Sequence, residues 1–151
     1  VSDCVLLLAT RFGRAGVGIK TDLAPDPLHV VASETGLKRA LLNVLVNAEQ
    51  ASPRGGTVSV RTRAARGSGY VEIADEGPGI PDAKRRQVFD LFVSSKPGGF
   101  GLGLPLAKAA IQSFGGAISV RESEGGGALF QMTLPLRPPK NDPPFTAGKR
   151  I

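Results

Sequence analysis

Asp75-Glu76-Gly77-Pro78-Gly79-Ile80, then Val88-Phe89-Asp90-Leu91-Phe92, then Lys96-Pro97-Gly98-Gly99-Phe100-Gly101-Leu102-Gly103-Leu104 follow in close succession along the chain. A carboxylate closes an expected strand, a stretch with two aromatics follows, and a glycine-dense turn opens a helix. Glycines let a backbone approach phosphate closely, and the helix start behind them presents free N–H donors and a partial positive charge. Upstream, Leu41-Leu42-Asn43-Val44-Leu45-Val46-Asn47-Ala48 sets two asparagines one helical turn apart. Together these stretches read as a nucleotide site.

With 151 residues, 41% hydrophobic and 21% charged, the chain has the length and composition of one soluble domain with a continuous core. It opens on Val1, as a piece of a longer protein would. The longest apolar run near the start, Val5 to Ala9, is too short to span a bilayer and no basic segment precedes it. Cys4 is the only cysteine and His29 the only histidine, which argues against disulfides, a cysteine-based zinc site and Ser-His-Asp chemistry. The net charge is +6, but the arginines are dispersed and few aromatics are available to stack bases. The basic balance therefore reads as a solvated surface that tolerates an anionic ligand, not as a nucleic-acid face.

Val17-Gly18-Ile19-Lys20-Thr21-Asp22-Leu23 alternates as a half-buried strand, and Leu28 to Ala32 is expected as a second one after the Pro25-Asp26-Pro27 turn. Ser33 caps a predicted helix whose stripe is Leu37, Ala40, Leu41, Val44, Leu45 and Ala48, ending near Ser52. Thr57 to Arg63 and Tyr70 to Asp75 form a predicted hairpin around Ala65 to Gly69. Residues 76–100 are expected to be loop, with short helix at most near Asp82 to Asp90. A second helix starts near Gly103, with Pro105 in its first turn where the missing N–H costs nothing. Gly116 to Glu124 and Ala128 to Leu136 make the final hairpin. From Arg137 on, the chain is proline-rich and lacks core periodicity. This order predicts an α+β fold, a two-layer α/β sandwich with a mixed, mostly antiparallel sheet and helices on one face.

The chemistry follows from residue types. Asn43, Asn47 and Gln50 fall together along the edge of the apolar stripe, where an amide oxygen can be offered to Mg²⁺ while the helix body stays packed. Asp75 shares its strand face with Val71 and Ile73, so its carboxylate needs a donor such as an exocyclic amino group. Adenine N6 supplies one; guanine presents a carbonyl there, so GTP is rejected. Lys96 adds a point charge for phosphate beside glycines 98, 99, 101 and 103. The spacing fits neither a P-loop nor the dinucleotide fingerprint. Each signal alone also has a structural reading, as boundary amides or an acidic turn; their order is what carries the site.

This succession resembles the catalytic and ATP-binding domain of two-component sensor histidine kinases, in the wider superfamily of gyrase, heat-shock-chaperone and mismatch-repair ATPases with the Bergerat-type fold. The resemblance covers residues 17–136. It implies an ATP-binding kinase domain over that span, 1–16 as the end of a preceding helical dimerisation region or linker, and 137–151 as a tail or linker. It implies ATP and Mg²⁺, with Asn47 as the metal ligand and Asn47 and Lys96 as catalytic residues. The implied nucleotide-binding set is Asn43, Asn47, Asp75, Gly77, Gly79, Ile80, Phe92, Lys96, Gly99, Gly101, Leu102, Gly103 and Leu104. Phe89 and Phe92 match the family's F box, anchoring the lid and facing a partner helix. Gly125, Gly127 and Phe130 look like its last glycine motif. The short lid with Ser94-Ser95-Lys96-Pro97 is similar to the nitrogen-regulation subtype.

The superfamily's hydrolysing members place a glutamate one turn before the magnesium asparagine; here Asn43 stands there, and an amide is no general base. The resemblance thus implies transfer of the γ-phosphate to a histidine on a separate dimerisation helix, for relay to a response-regulator receiver domain. His29, in an expected strand, is not that acceptor. No nucleic acid and no membrane contact by this domain are implied, and a cytoplasmic location whether or not the parent protein is anchored. Phe100, Ala128 and Gln50 depart from the family pattern. The rival readings are a serine kinase of the anti-sigma-factor type, a hydrolysing ATPase and a non-catalytic nucleotide-gated module.

Overall fold

The computed structural model describes residues 1–93 and 101–137. In chain order these form helix α1 (Ser2–Ala15), strand β1 (Gly18–Asp22), helix α2 (Glu34–Ala51), strands β2 (Thr57–Ala65) and β3 (Ser68–Ala74), helix α3 (Gly103–Ser113), and strands β4 (Ala117–Glu122) and β5 (Ala128–Pro135). The sheet order is β1-β2-β3-β5-β4, with β1 parallel to β2 and every other pair antiparallel. This is the mixed, mostly antiparallel sheet expected from the sequence.

Alternation decides which face is covered. Val58, Val60, Val71, Ile73, Ala128, Phe130, Met132 and Leu134 point inward and are buried, whereas Ser59 and Arg61 between them are exposed. The helices lie on the inward side. The α2 stripe supplies Ala40, Leu41, Val44, Leu45 and Ala48 to the core, and α3 supplies Ala107 and Ile111. Ser33 caps α2 as expected, its hydroxyl oxygen accepting from the Gly36 N–H at 3.2 Å. Helix α1 docks on the same layer, burying Cys4 and Phe12 completely or nearly so.

Two expectations need correction. Residues 28–32 do not form a strand: Val30 makes a single antiparallel bridge to Leu136. Val31 N–H donates to Pro135 O and Arg137 N–H to His29 O, but Pro135 has no N–H to return and the ladder stops there. The β2–β3 hairpin is also tighter than expected. Its strands run through Ala65 and resume at Ser68, leaving Arg66 (φ 50°) and Gly67 (φ 75°) as a two-residue turn. Both φ values are positive, as such a turn requires when it follows the strand twist. In the 76–93 stretch, single 3₁₀ turns at Asp82–Lys84 and Gln87–Phe89 are the only helix, in agreement with the sequence. Lys96, Gly98, Gly99 and Phe100, the Ser94 to Pro97 lid, and the chain from 138 onward lie outside the described residues.

Candidate functional site

Asp75 follows the last residue of β3, and strand alternation carries it inward behind Val71 and Ile73 to 2% exposure. Its backbone N–H donates to Ala128 O at 2.9 Å. Its Oδ1 accepts from the Gly77 N–H at 2.9 Å and from the Ala128 N–H at 3.0 Å. Peptide N–H groups thus hold a carboxylate in a place where an unbonded charge would be costly. The role of Ala128 was invisible in the sequence, because a backbone donor leaves no mark on residue type.

Three glycines make that arrangement possible. A Cβ on Gly127 would run into the carbonyl oxygen of Asp75 and lie 2.8 Å from its Oδ1. On Gly77 it would come within 2.6 Å of Ala51 O. Gly79 has φ +73°, and a side chain there would meet Gly126 O at 2.7 Å. The Asp75–Gly79 turn is therefore clamped between the end of α2 and the 125–127 turn, with no space for a side chain at Gly77 or Gly79.

Asn43, Asn47 and Ala51 recur every four residues and form one row along α2, about 12 Å from end to end at 1.5 Å per residue. Gly77 rests on the Ala51 end. At the other end the Cβ position of Gly103, the first residue of α3, is 3.9 Å from the Asn43 side chain. Asn47 lies between, half-buried like Asn43. The row thus runs from the first glycine turn to the start of α3. Among the described residues no side chain caps α3, whose first-turn N–H groups carry a partial positive charge.

The two phenylalanines have different surroundings. Phe89 is buried against Phe130 in an edge-to-face pair, ring centroids 6.2 Å apart. Phe92 is 76% exposed at φ +63°, its N–H donating to Gly101 O at 3.1 Å. Only Phe89 anchors the segment; Phe92 is turned outward. Gly101 must be glycine, since a Cβ would meet the Phe92–Val93 peptide at 2.7 Å. Ile80 and Leu104 pack against the core, and Leu102 is exposed. The Ile80 carbonyl accepts from Arg85 Nε at 2.9 Å.

The residues present suit a magnesium nucleotide. The glycines at 77, 79 and 127 let backbone pack against backbone around Asp75, so the turn is lined by peptide groups. The amide oxygens of the asparagine row are hard donors. Among the described residues no three His, Cys, Asp or Glu side chains converge, so a cation here would take most of its ligands from phosphate and water, as Mg²⁺ does.

Residues 32–138 match the family described as histidine kinase-, DNA gyrase B-, and HSP90-like ATPase. The chain is 36% identical over 136 residues to the C4-dicarboxylate transport sensor protein DctB of Rhizobium meliloti (strain 1021), which covers 89% of this chain and 22% of that protein. It is 41% identical over 137 residues to the signal transduction histidine-protein kinase/phosphatase MprB of Mycobacterium sp. (strain KMS), covering 85% of this chain and 27% of that one. It therefore spans about a quarter of the length of these curated relatives. Among solved structures, the mycobacterial sensor histidine kinase MprB superposes with a TM-score of 0.80 at 35% identity, covering 91% of this chain and 95% of that one. Full-length ShkA in complex with AMPPNP superposes with a TM-score of 0.80 at 29% identity, over 89% of this chain and 29% of that one.

Proposed function

The chain belongs to the histidine kinase-, DNA gyrase B- and HSP90-like ATPases and is an ATP-binding catalytic domain of the sensor histidine kinase kind; on that premise we propose that it transfers the ATP γ-phosphate to a histidine of a dimerisation helix. From there the phosphoryl group passes to a response-regulator receiver domain. The observation that carries this reading is the α2 row, with the Asp75 turn at one end, the α3 start at the other and Asn47 between them.

In this reading Asp75 accepts from the adenine amino group and rejects guanine. Asn47 holds Mg²⁺, which when bound neutralises phosphate charge. The uncapped start of α3 and the Gly101–Gly103 backbone receive the phosphates, helped by Lys96 and Gly99. Asn43 leaves the domain without a base to activate water, which favours transfer over hydrolysis. A neutral imidazole brings its own lone pair, so what this chain contributes is positioning and charge stabilisation. The acceptor helix docks where Leu91, Phe92, Val93, Leu102 and Leu106 are exposed beside the phosphate end. In this reading residues 17–136 form the catalytic unit, 1–16 are the end of a dimerisation region or a linker, 137–151 are a tail or linker, and the domain works in the cytoplasm.

Calorimetry is expected to show ATP binding with Mg²⁺ and none with GTP; equal affinity for both removes Asp75 from base recognition. Asn47→Ala should abolish phosphotransfer to a supplied helical hairpin bearing the acceptor histidine. Full transfer by that variant refutes the metal assignment, and an acid-stable phosphate on the partner would point to a serine acceptor.

A further inference from the structure

Glu49 lies on α2 two residues after Asn47 and two before Ala51, about 200° around the helix from Asn47. Although it faces away from the asparagine row, it is only 8% exposed. Its Oε2 accepts from Arg11 Nε of α1 at 2.8 Å. Three further contacts tie the end of α1 and the start of β1 to the turn that follows α2. Gly55 N–H donates to Gly16 O at 2.7 Å, and Gly18 N–H donates to Gly56 O at 2.8 Å. The Arg54 stem covers Gly16, whose Cβ position is 2.9 Å from Arg54 Cγ.

The opposite side of the same segment touches the nucleotide turn. Gly77 rests on Ala51 O, and Thr57 N–H donates to Glu76 Oε2 at 3.1 Å. Residues 49–57 are thus a bridge, with α1 on one flank and the Asp75–Gly79 turn on the other.

We infer that Arg11 and Glu49 are positioning residues that couple α1 to ATP binding. Docked through this pair, α1 holds the C-terminal half of α2 and the 53–57 turn where Asn47 and the Gly77 turn meet the nucleotide. Lifting α1 would break the Arg11–Glu49 pair and the contacts at Gly16, so the helix and the bridge move together. Coupling of this kind is reciprocal: if α1 tightens ATP binding, ATP must tighten α1 by the same factor. The inference rests on the nucleotide reading above and adds an input to it, since any force on α1 becomes a change in ATP affinity.

Cys4 provides the readout. It is the only cysteine, it lies on α1 with no exposed surface, and its Sγ is 4.0 Å from Lys38 O. With no surface exposed it is closed to reagent, and burial also pushes its thiol pKa up, so alkylation requires α1 to open. Iodoacetamide labelling of the intact chain is measured with and without Mg·ATP, alongside pulse proteolysis for global unfolding. In the wild type, labelling should outpace global unfolding, and ATP should slow it about fivefold or more. In Glu49→Gln, which keeps an acceptor oxygen and so the fold, that protection should shrink towards none while ATP affinity falls by a similar factor. Arg11→Lys, which keeps the charge, should preserve most of it. Labelling that ignores ATP, or that tracks global unfolding throughout, overturns the coupling. A wild type that binds no ATP at all would instead sink the nucleotide reading and the coupling with it.

Discussion

Asp75 and Glu49 are the two buried carboxylates among the described residues, and they are held in different ways. Glu49 meets a guanidinium brought from 38 residues away, a pair that satisfies itself and ties two helices together. Asp75 meets peptide N–H groups from the turn it begins and from the neighbouring strand. Backbone dipoles steady a negative charge while leaving it in place for a ligand's donor; an ion pair uses the charge up. The first arrangement suits recognition and the second suits architecture.

Removing the Asp75 side chain should test this contrast most severely. Asp75→Ala deprives two N–H groups of their acceptor, at about 1–3 kcal/mol each where they are buried. Chemical denaturation should show a loss of about 2–6 kcal/mol together with loss of detectable ATP binding. Asp75→Asn separates the two roles. Its amide oxygen can still accept from Gly77 and Ala128, so stability should fall by less than about 1 kcal/mol, while calorimetric ATP affinity drops roughly ten- to a hundredfold. Equal losses of stability in the two variants would show that the carboxylate is structural, like Glu49.

Glu49→Gln should shift the weight toward stability, costing about 1–2 kcal/mol in a denaturant titration beside the several-fold fall in ATP affinity inferred above. That is less than a fully enclosed pair would lose, because the Arg11 side chain keeps 45% of its surface. Smallest of all should be Arg61→Ala. Its pair with Asp22 is 2.8 Å long but both side chains are more than half exposed, so a change beyond about 0.5 kcal/mol would be unexpected.

Much of this was legible in the residues themselves. The α2 stripe, its Ser33 cap and its end near Ser52 depend on local periodicity and local chemistry, and all appear in the structure. The inward turn of Asp75 followed from alternation alone. What the sequence left open was set by partners distant along the chain. Glu49 falls about 40° beyond Leu45 around α2, so a charge at the rim of a buried stripe was a readable signal. That Arg11 would meet it was not readable, since that depends on how α1 packs. Residues 28–32 failed as a strand because β5 offers them Pro135, a fact about tertiary neighbours and not about their own propensity.

The two-residue turn at Arg66 and Gly67 has a practical consequence. The seven residues of β3 separate it from Asp75, roughly 23 Å at strand rise. A short peptide epitope or surface-tethering handle grafted there would leave the sheet register and the glycine cradle untouched. The domain could then be immobilised with its ligand-bearing end facing outward.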